Sequence, residues 1–292
     1  MKVGIALGGG GLRGFAHIGV LEVLLANGIE PDIVAGTSAG SIVGSLFASG
    51  VQPKQIINFL TMFSKLNFFN LEKNLEAWPG RSFGRERISL LPKGLVSTKH
   101  LEDGLQKLLG QKNFDQLDYP LAVVASDLNS GNTVIYTTHN QRGHDFGIDS
   151  AVVETGVLVK DAVAASCAIP GIFTPKVIGT RTLVDGGLVD NVPADILRAM
   201  GADMVIAIEI GFAVEQERPI NNMLDVLLQS YDIMGHRLVE ATLPQYADVI
   251  IKPTISHVSL TDMEKVPGII EAGRRAANAK IKEIKRLLKF TY

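Results

Sequence analysis

The fold of this chain is decided by residues 32–44, DIVAGTSAGSIVG. Apolar residues that favour a strand lead into a Gly-x-Ser-x-Gly turn, and a helical pattern follows the turn. Such a turn is so tight that the positions two before and two after the serine must carry almost no side chain, and here they are Gly36 and Gly40. The Ser38 hydroxyl then projects at the start of a helix, where unpaired amides favour negative charge. The pattern predicts a serine nucleophile.

A second glycine-rich turn lies upstream at residues 8–14, GGGGLRG. It follows a predicted first strand at 2–7 and precedes an apolar helical pattern. Consecutive glycines expose a row of backbone amides that suits an anion. The spacing also matches the dinucleotide-binding fingerprint, but that fold requires an acidic residue at the end of the second strand. Because this chain has the serine turn there, dinucleotide binding is the weaker interpretation.

The two turns are expected to meet in space. The first two strands of an open α/β sheet usually lie close together, and their loops share the carboxyl edge. The glycine loop would supply amide donors, and the serine turn would supply the nucleophile and one further amide. This arrangement predicts an oxyanion hole beside the serine. The further amide would be that of Ala39.

A serine nucleophile needs a base, and no histidine is an obvious one. The six histidines are His17, His100, His139, His144, His236 and His257. None follows a predicted strand end, and His17 falls inside the first helix pattern, where a packing role is commoner. His139 and His144 lie in a polar stretch without the carboxylate–cysteine cluster that would make a metal site convincing. The histidines therefore leave the base unassigned.

A better candidate for the base is Asp185. An apolar strand delivers Asp185 to a turn in which Gly186 and Gly187 allow other backbone to approach closely. Asp-Gly is also an ordinary turn sequence, so the spacing alone leaves the role of this carboxylate open. Asp190 and Asn191, just beyond, are predicted to cap a helix that begins at Pro193.

Composition sets the remaining bounds. The chain has 292 residues, of which 46% are hydrophobic, and this is enough for a large core. Strand-like runs at 121–125 and 204–208 alternate with helical patterns, which predicts a largely parallel sheet covered on both faces. The net charge of −2 gives no general attraction to nucleic acid. The single cysteine, Cys167, lies in an apolar run and is expected in the core. No run approaches a membrane span and the N-terminus does not read as a secretion signal, so we expect a cytoplasmic protein.

Taken together, the glycine loop, the serine turn and the Asp185 turn resemble the three signatures of the patatin-like phospholipases, in the same order. The stretches 165–173, 125–131 and 225–252 are similar to further parts of that family, so the resemblance covers nearly the whole chain. It implies one patatin-like domain over 1–292, with a mostly parallel central sheet between helices. The catalytic core would span about 1–212, followed by an extension at about 220–292.

The resemblance also implies a mechanism. Ser38 would be the nucleophile and Asp185 the base, a dyad without histidine, with the amides of residues 9–11 as the oxyanion hole. No cofactor or metal is implied. The supporting motif positions would be Arg13, Gly14, Gly36, Gly40, Gly186 and Gly187. The expected activity is hydrolysis of lipid carboxylic esters, of the phospholipase A or lysophospholipase type. Two alternatives stay open: an acyltransferase on the same acyl-enzyme, and a non-catalytic regulatory or lipid-binding relative.

Two regions bear on contact with lipid. Aromatic and cationic residues crowd 59–87, and 61–95 matches no family pattern. This region suits either a helix packed on the sheet and followed by a loop at 78–80, or a lid or acyl-binding wall at the site, which we favour. The stretch 138–160 also departs from the family. A basic amphipathic pattern over 269–290 suits peripheral contact with a membrane, but it also suits a final helix docked on the domain, and docking is the commoner outcome.

Overall fold

The structure is a computed structural model that describes residues 1–62, 93–138, 146–148, 150–211, 220, 223–255, 258 and 262–289. The strands are β1 (Val3–Leu7), β2 (Ile33–Thr37), β3 (Gly94–Val96), β4 (Leu121–Asp127), β5 (Thr133–Tyr136), β6 (Ala151–Glu154), β7 (Gly171–Phe173), β8 (Lys176–Ile178), β9 (Arg181–Asp185), β10 (Met204–Ile208) and β11 (Val249–Ile251). The helices are α1 (Phe15–Ala26), α2 (Ala39–Ala48), α3 (helical over 53–62), α4 (Lys99–Leu109), α5 (Val159–Ser166), α6 (Ala194–Ala199), α7 (Met223–Tyr246) and α8 (Val266–Lys289).

A mostly parallel sheet forms the centre of the molecule, as predicted. Within the described residues it has nine strands, in the order β11-β10-β1-β2-β4-β5-β6. Outside this path, β9 pairs with β4, and β8 pairs with β9. The first five strands in this order run parallel, while β4 pairs with β5 and β9 in the antiparallel sense. The central strands β1, β2, β4 and β10 are buried along their whole length, because both faces of the sheet are covered.

One edge of β4 changes partner next to the serine turn. Thr37, the last residue of β2, pairs with Val124, and the following residue of β4, Ala125, pairs with Asp185 at the end of β9. Residues 125–127 of β4 are therefore needed for pairing with β9, which explains why β4 extends beyond the predicted 121–125. This exchange of partners brings the ends of β2 and β9 together on one edge of a single strand.

Helices cover the two faces of the sheet. The alternation of side chains along β1 places Ile5 and Leu7 in a core shared with α1, α2 and α8. Ala6 points the other way, into a core shared with α6 and α7. Both the predicted strand at 204–208 and the predicted burial of Cys167 are confirmed.

The last helix is docked on the domain, which confirms the commoner of the two predicted outcomes. Helix α8 packs against α1, and a Cβ atom at Gly19 or at Gly273 would collide with the backbone of the other helix. Its apolar face is buried through Ile269, Ala277 and Ile284. The basic side chains of the pattern lie on the remaining surface of the helix.

The predicted lid at 61–95 falls almost wholly outside the described residues, as does most of the aromatic cluster within 59–87. Phe59 is described, and its ring is buried against Gly104 of α4. Of the helices that the structure describes, none is long and apolar enough to cross a membrane.

Candidate active site

Ser38 lies on a strained turn between β2 and α2. Its φ of 52° and ψ of −121° belong to a region that a residue with a side chain adopts at a cost of about 1–3 kcal/mol. The hydrogen bond from its amide to Ser166 Oγ, 2.8 Å long, helps to hold this conformation. The Ser41 hydroxyl donates to the Ser38 carbonyl oxygen at 2.6 Å. This is the geometry of a nucleophile elbow, with the Ser38 side chain only 6% exposed.

The two glycines of the elbow are required by close backbone contacts. A Cβ atom at Gly36 would stand 2.5 Å from the Gly40 carbonyl oxygen, and one at Gly40 would overlap the Leu7 carbonyl oxygen of β1. Neither position tolerates a side chain without moving a strand. The sequence rule for this turn therefore has a direct steric cause in the structure.

Asp185 ends β9 directly beside the elbow, and its side chain is 1% exposed. The Ser38 side chain lies beside its carboxylate, close enough to lower the pKa of that carboxylate. Its Oδ1 atom also accepts hydrogen bonds from the Gly187 amide at 2.8 Å and from the Tyr231 hydroxyl at 3.2 Å. The Asp185 backbone is fixed in turn, because its carbonyl oxygen accepts a 2.8 Å bond from Ser126 Oγ.

Burial raises the pKa of Asp185 from its ordinary value to about 6. Desolvation disfavours the carboxylate, while the nearby Ser38 side chain and the hydrogen bonds from Gly187 and Tyr231 oppose this and lower the pKa. A carboxylate with a raised pKa is a stronger base than an exposed aspartate, as the role of proton acceptor requires. The environment thus supplies the desolvation that an aspartate base needs.

The glycine loop meets the elbow, as predicted. A Cβ atom at Gly14 would stand 2.6 Å from the Ala39 Cβ, and one at Gly9 would stand 3.2 Å from the Ser38 Cβ. The Gly9 amide, however, donates to the Asn191 carbonyl oxygen at 3.1 Å. It is therefore already paired, and the prediction that it is a free oxyanion donor is wrong. Gly9 instead ties the loop to residue 191, which leaves three of the four candidate amides: Gly10, Gly11 and Ala39.

Two side chains support the backbone of the glycine loop, one from within the loop and one from α1. Arg13 Nε donates to the Gly10 carbonyl oxygen at 3.3 Å. His17 Nε2 lies 2.8 Å from the Gly8 carbonyl oxygen, and the ring is fully buried in α1. Burial lowers the pKa of His17 to about 4, so the ring is neutral and its Nε2 acts as the donor. His17 therefore positions the loop: its Nε2 is used in this bond, and its Nδ1 has no hydrogen-bond partner among the described residues.

The predicted capping role of Asp190 and Asn191 is wrong. Helix α6 begins after Pro193, and neither side chain caps it. Asn191 instead lies in the site: its Nδ2 donates to the Gly9 carbonyl oxygen at 3.4 Å. The Asp190 carbonyl oxygen accepts a 2.9 Å bond from Thr37 Oγ1 at the end of β2. These two hydrogen bonds connect the turn after β9 to the glycine loop and to the end of β2. They hold the glycine loop against the elbow.

Tyr231 is the residue of the site that the sequence did not reveal. It lies on α7, 46 residues beyond its partner Asp185. No motif surrounds it, and the broad similarity of 225–252 to the family singles out no residue. Only the packing of α7 over the turn after β9 brings its hydroxyl to the carboxylate.

The described residues contain no group of three or more histidine, cysteine, aspartate or glutamate side chains able to hold a metal ion. His139 and His144 lie outside the described residues, so the structure does not test a site built on them. Burial and the nearby Asp185 carboxylate raise the pKa of Cys167, which keeps the thiol protonated and makes it a poor nucleophile.

Comparison with known proteins identifies the family. The family model described as patatin-like phospholipase matches residues 5–198, which include the glycine loop, the elbow and Asp185. The chain belongs to the patatin-like phospholipase family. The match ends before α7, so Tyr231 lies outside the part of the chain that defines the family.

The individual relatives share at most 30% of aligned residues with this chain in the two cases below, and both are longer than this chain. An uncharacterized NTE family protein of Mycobacterium tuberculosis is 30% identical over 209 residues, which are 72% of this chain and 49% of that protein. A lysophospholipase, NTE1, of Debaryomyces hansenii is 23% identical over 302 residues, 95% of this chain and 18% of that protein. The chain thus spans half or less of the curated relatives it matches. The crystal structure of VipD from Legionella pneumophila shares the fold, with a TM-score of 0.50 at 17% identity over 97% of this chain and 67% of that one.

Proposed function

We propose that this protein is a serine acyl hydrolase that cleaves carboxylic esters of lipids through a Ser38–Asp185 dyad. The observation that carries the proposal is the position of the Ser38 side chain, on its strained elbow, beside a buried carboxylate with a raised pKa. A nucleophile, a base and unpaired amides then meet at one edge of the sheet. This is the constellation that acyl transfer requires.

The chemistry follows from these positions. Asp185 accepts the Ser38 proton as Oγ attacks the ester carbonyl carbon, and the C=O electron pair moves onto the carbonyl oxygen. The amides of Gly10, Gly11 and Ala39 are the proposed donors to that oxyanion, each worth roughly 3–4 kcal/mol of transition-state stabilisation. Collapse expels the alcohol, which takes the proton from Asp185. Water then cleaves the acyl-serine, with Asp185 again accepting and returning a proton.

The family and one relative support a lipid as the ester. The family is described as phospholipases, and the Debaryomyces relative is a lysophospholipase by name. We therefore propose an activity of the phospholipase A or lysophospholipase type, with lysophospholipid as the first substrate to test. The retention of Ser38 on the elbow together with the buried Asp185 argues against a relative that has lost catalysis.

The test is turnover of a short-chain nitrophenyl ester and of lysophospholipid by the wild type, Ser38→Ala and Asp185→Asn. Both variants are expected to lose at least about 10³-fold in kcat. Ser45→Ala is the matched control, because Ser45 is buried in the same helix and bonds only along it, to the Ile42 carbonyl oxygen. Full turnover by Ser38→Ala would refute the proposal, and ester products formed with an added alcohol would identify an acyltransferase.

Membrane association of this protein is also a proposal. The region 59–87 lies mostly outside the described residues. The apolar face of 269–290 is used for docking on α1, so any contact through this helix involves its basic surface alone. Peripheral binding through that surface predicts that added salt releases the protein from anionic vesicles.

A further inference from the structure

Helix α7 brings the side chain of Tyr231 to the site, where its hydroxyl contacts Asp185. The Tyr231 hydroxyl donates to Asp185 Oδ1 at 3.2 Å, on the same oxygen that accepts the Gly187 amide. Gly187 makes room for it, since a Cβ atom there would collide with the Tyr231 hydroxyl oxygen and stand 2.8 Å from Asn191 Oδ1. The second glycine of the Asp-Gly-Gly turn thus has a steric reason that depends on α7.

The chemistry of Tyr231 suits a permanent donor. Burial and the neighbouring Asp185 carboxylate raise the pKa of the phenol well above its ordinary value, with a smaller contribution from Asp232. The hydroxyl therefore stays protonated at every pH at which Asp185 titrates, and it has a proton to donate. A phenol that ionised there would place a second negative charge beside the base.

We propose that Tyr231 is a positioning residue of the active site, whose hydroxyl holds the Asp185 carboxylate in the orientation that faces Ser38. The Gly187 amide and the Tyr231 hydroxyl together occupy Oδ1, and this pairing prevents the carboxylate from rotating about its χ2 bond. The C-terminal extension thereby contributes to the site, although the family match ends at residue 198. The kinetic consequences rest on the proposed function, whereas the contact itself does not.

The removal of the hydroxyl should make Asp185 harder to ionise. Among the described residues, four titratable or donor groups face this carboxylate: Ser38 from the elbow, the Gly187 amide, Tyr231 from α7 and the Cys167 thiol from the end of α5. Only Tyr231 changes in Tyr231→Phe. Because its hydrogen bond lowers the pKa of Asp185, its loss should move the titration upward by about one pH unit.

The test combines an infrared titration with kinetics. The carboxyl band of Asp185, identified by its absence in Asp185→Asn, is followed against pH in the wild type, Tyr231→Phe and Tyr246→Phe. Tyr246 is the control because it lies on the same helix with its side chain exposed. We expect an upward shift in Tyr231→Phe alone, with a matching shift in the acid limb of kcat/KM and a roughly tenfold lower kcat at nearly unchanged KM.

Gly187→Ala provides the second variant, and it serves if Tyr231→Phe folds poorly. Its methyl group displaces the phenol, so it should shift the Asp185 titration in the same direction, and the double variant should shift it by less than the sum. An unchanged midpoint in Tyr231→Phe, or an equal shift in Tyr246→Phe, would overturn the inference. An inactive wild type would refute the proposed function instead, and the infrared titration would still decide the role of Tyr231.

Discussion

At the scale of single residues, the site depends on the buried carboxylate of Asp185, which changes its protonation state near neutral pH. Asp185 is held by Gly187 and Tyr231 beside Ser38, yet its pKa remains raised to about 6 because burial outweighs these contacts. Two consequences can be measured, one in the rate and one in the stability.

The rate should depend on the deprotonated form of Asp185. Since this form takes the Ser38 proton, kcat/KM is expected to fall about tenfold per pH unit below a midpoint near pH 6 and to level off above it. A pH–rate profile with a soluble ester measures this. A rate that stays constant down to pH 4 would contradict the assignment of Asp185 as the base.

The free energy of unfolding should depend on pH in the opposite sense, because protonated Asp185 favours the folded state. The pKa of Asp185 is higher in the folded protein than the ordinary value of about 3.9, so the folded state binds the proton more tightly. This contribution is fully present below about pH 4 and is lost as the pH rises through about 6. At pH 8 the buried carboxylate then costs on the order of 2 kcal/mol.

Asp185→Asn should therefore raise the free energy of unfolding at pH 8 while it abolishes turnover. The neutral amide keeps an oxygen that accepts from the Gly187 amide, and it removes the buried charge. Urea unfolding at pH 8 and pH 4 measures the effect, which should nearly vanish at the lower pH. An Asp185→Asn protein less stable than the wild type at pH 8 would mean that the charge is well compensated.

At the scale of elements, close packing between α1 and α8 determines which glycines are needed. A Cβ atom at Gly273 would collide with the Ala16 carbonyl oxygen, whereas one at Gly268, in the same helix, meets nothing within 4 Å. The two positions form a matched pair, because the substitution is the same and only the neighbour differs.

Gly273→Ala should destabilise the protein by about 1–3 kcal/mol, since α8 must move away from α1 to admit the methyl group. Gly268→Ala should be neutral or should stabilise by up to about 1 kcal/mol, because alanine is the better helix former. Thermal or urea unfolding distinguishes the two. Equal effects of the two substitutions would show that α8 does not pack on α1 as described.

The sequence reveals elements well where the pattern is local. The elbow, the glycine loop and the strand before Asp185 each combine a strand with a turn that only glycine permits, so both their place and their meeting at one sheet edge are predictable. Ties between distant loops are not. The sequence predicts that Asn191 caps a helix, but in the structure its side chain donates to the backbone of the glycine loop. Tyr231 could not be predicted, because a single tyrosine on a long helix belongs to no recognisable sequence motif.

At the scale of the whole molecule, the segment beyond the family match belongs to the same structure. Strand β11 pairs with β10 at the edge of the sheet, and α7 and α8 cover its two faces. The buried apolar surface of α1 is shared with α8. Removal of the extension would expose both cores to water.

A chain truncated after residue 212 should therefore fail to fold, although it retains Ser38, Asp185 and every residue of the family match. Circular dichroism and size-exclusion chromatography, with the full chain as control, test this. A folded, active 1–212 fragment would show that the extension is an independent addition, and would also contradict a role for Tyr231.

The central claim is that Ser38 is a nucleophile activated by Asp185. The most direct measurement is reaction of the full chain with a fluorophosphonate, followed by intact mass and peptide mapping of the adduct. We expect one adduct per chain, on Ser38, formed at a rate that falls below about pH 6 and absent from Ser38→Ala. An adduct on another serine of the site, such as Ser41 or Ser166, or undiminished labelling of Ser38→Ala, would contradict it.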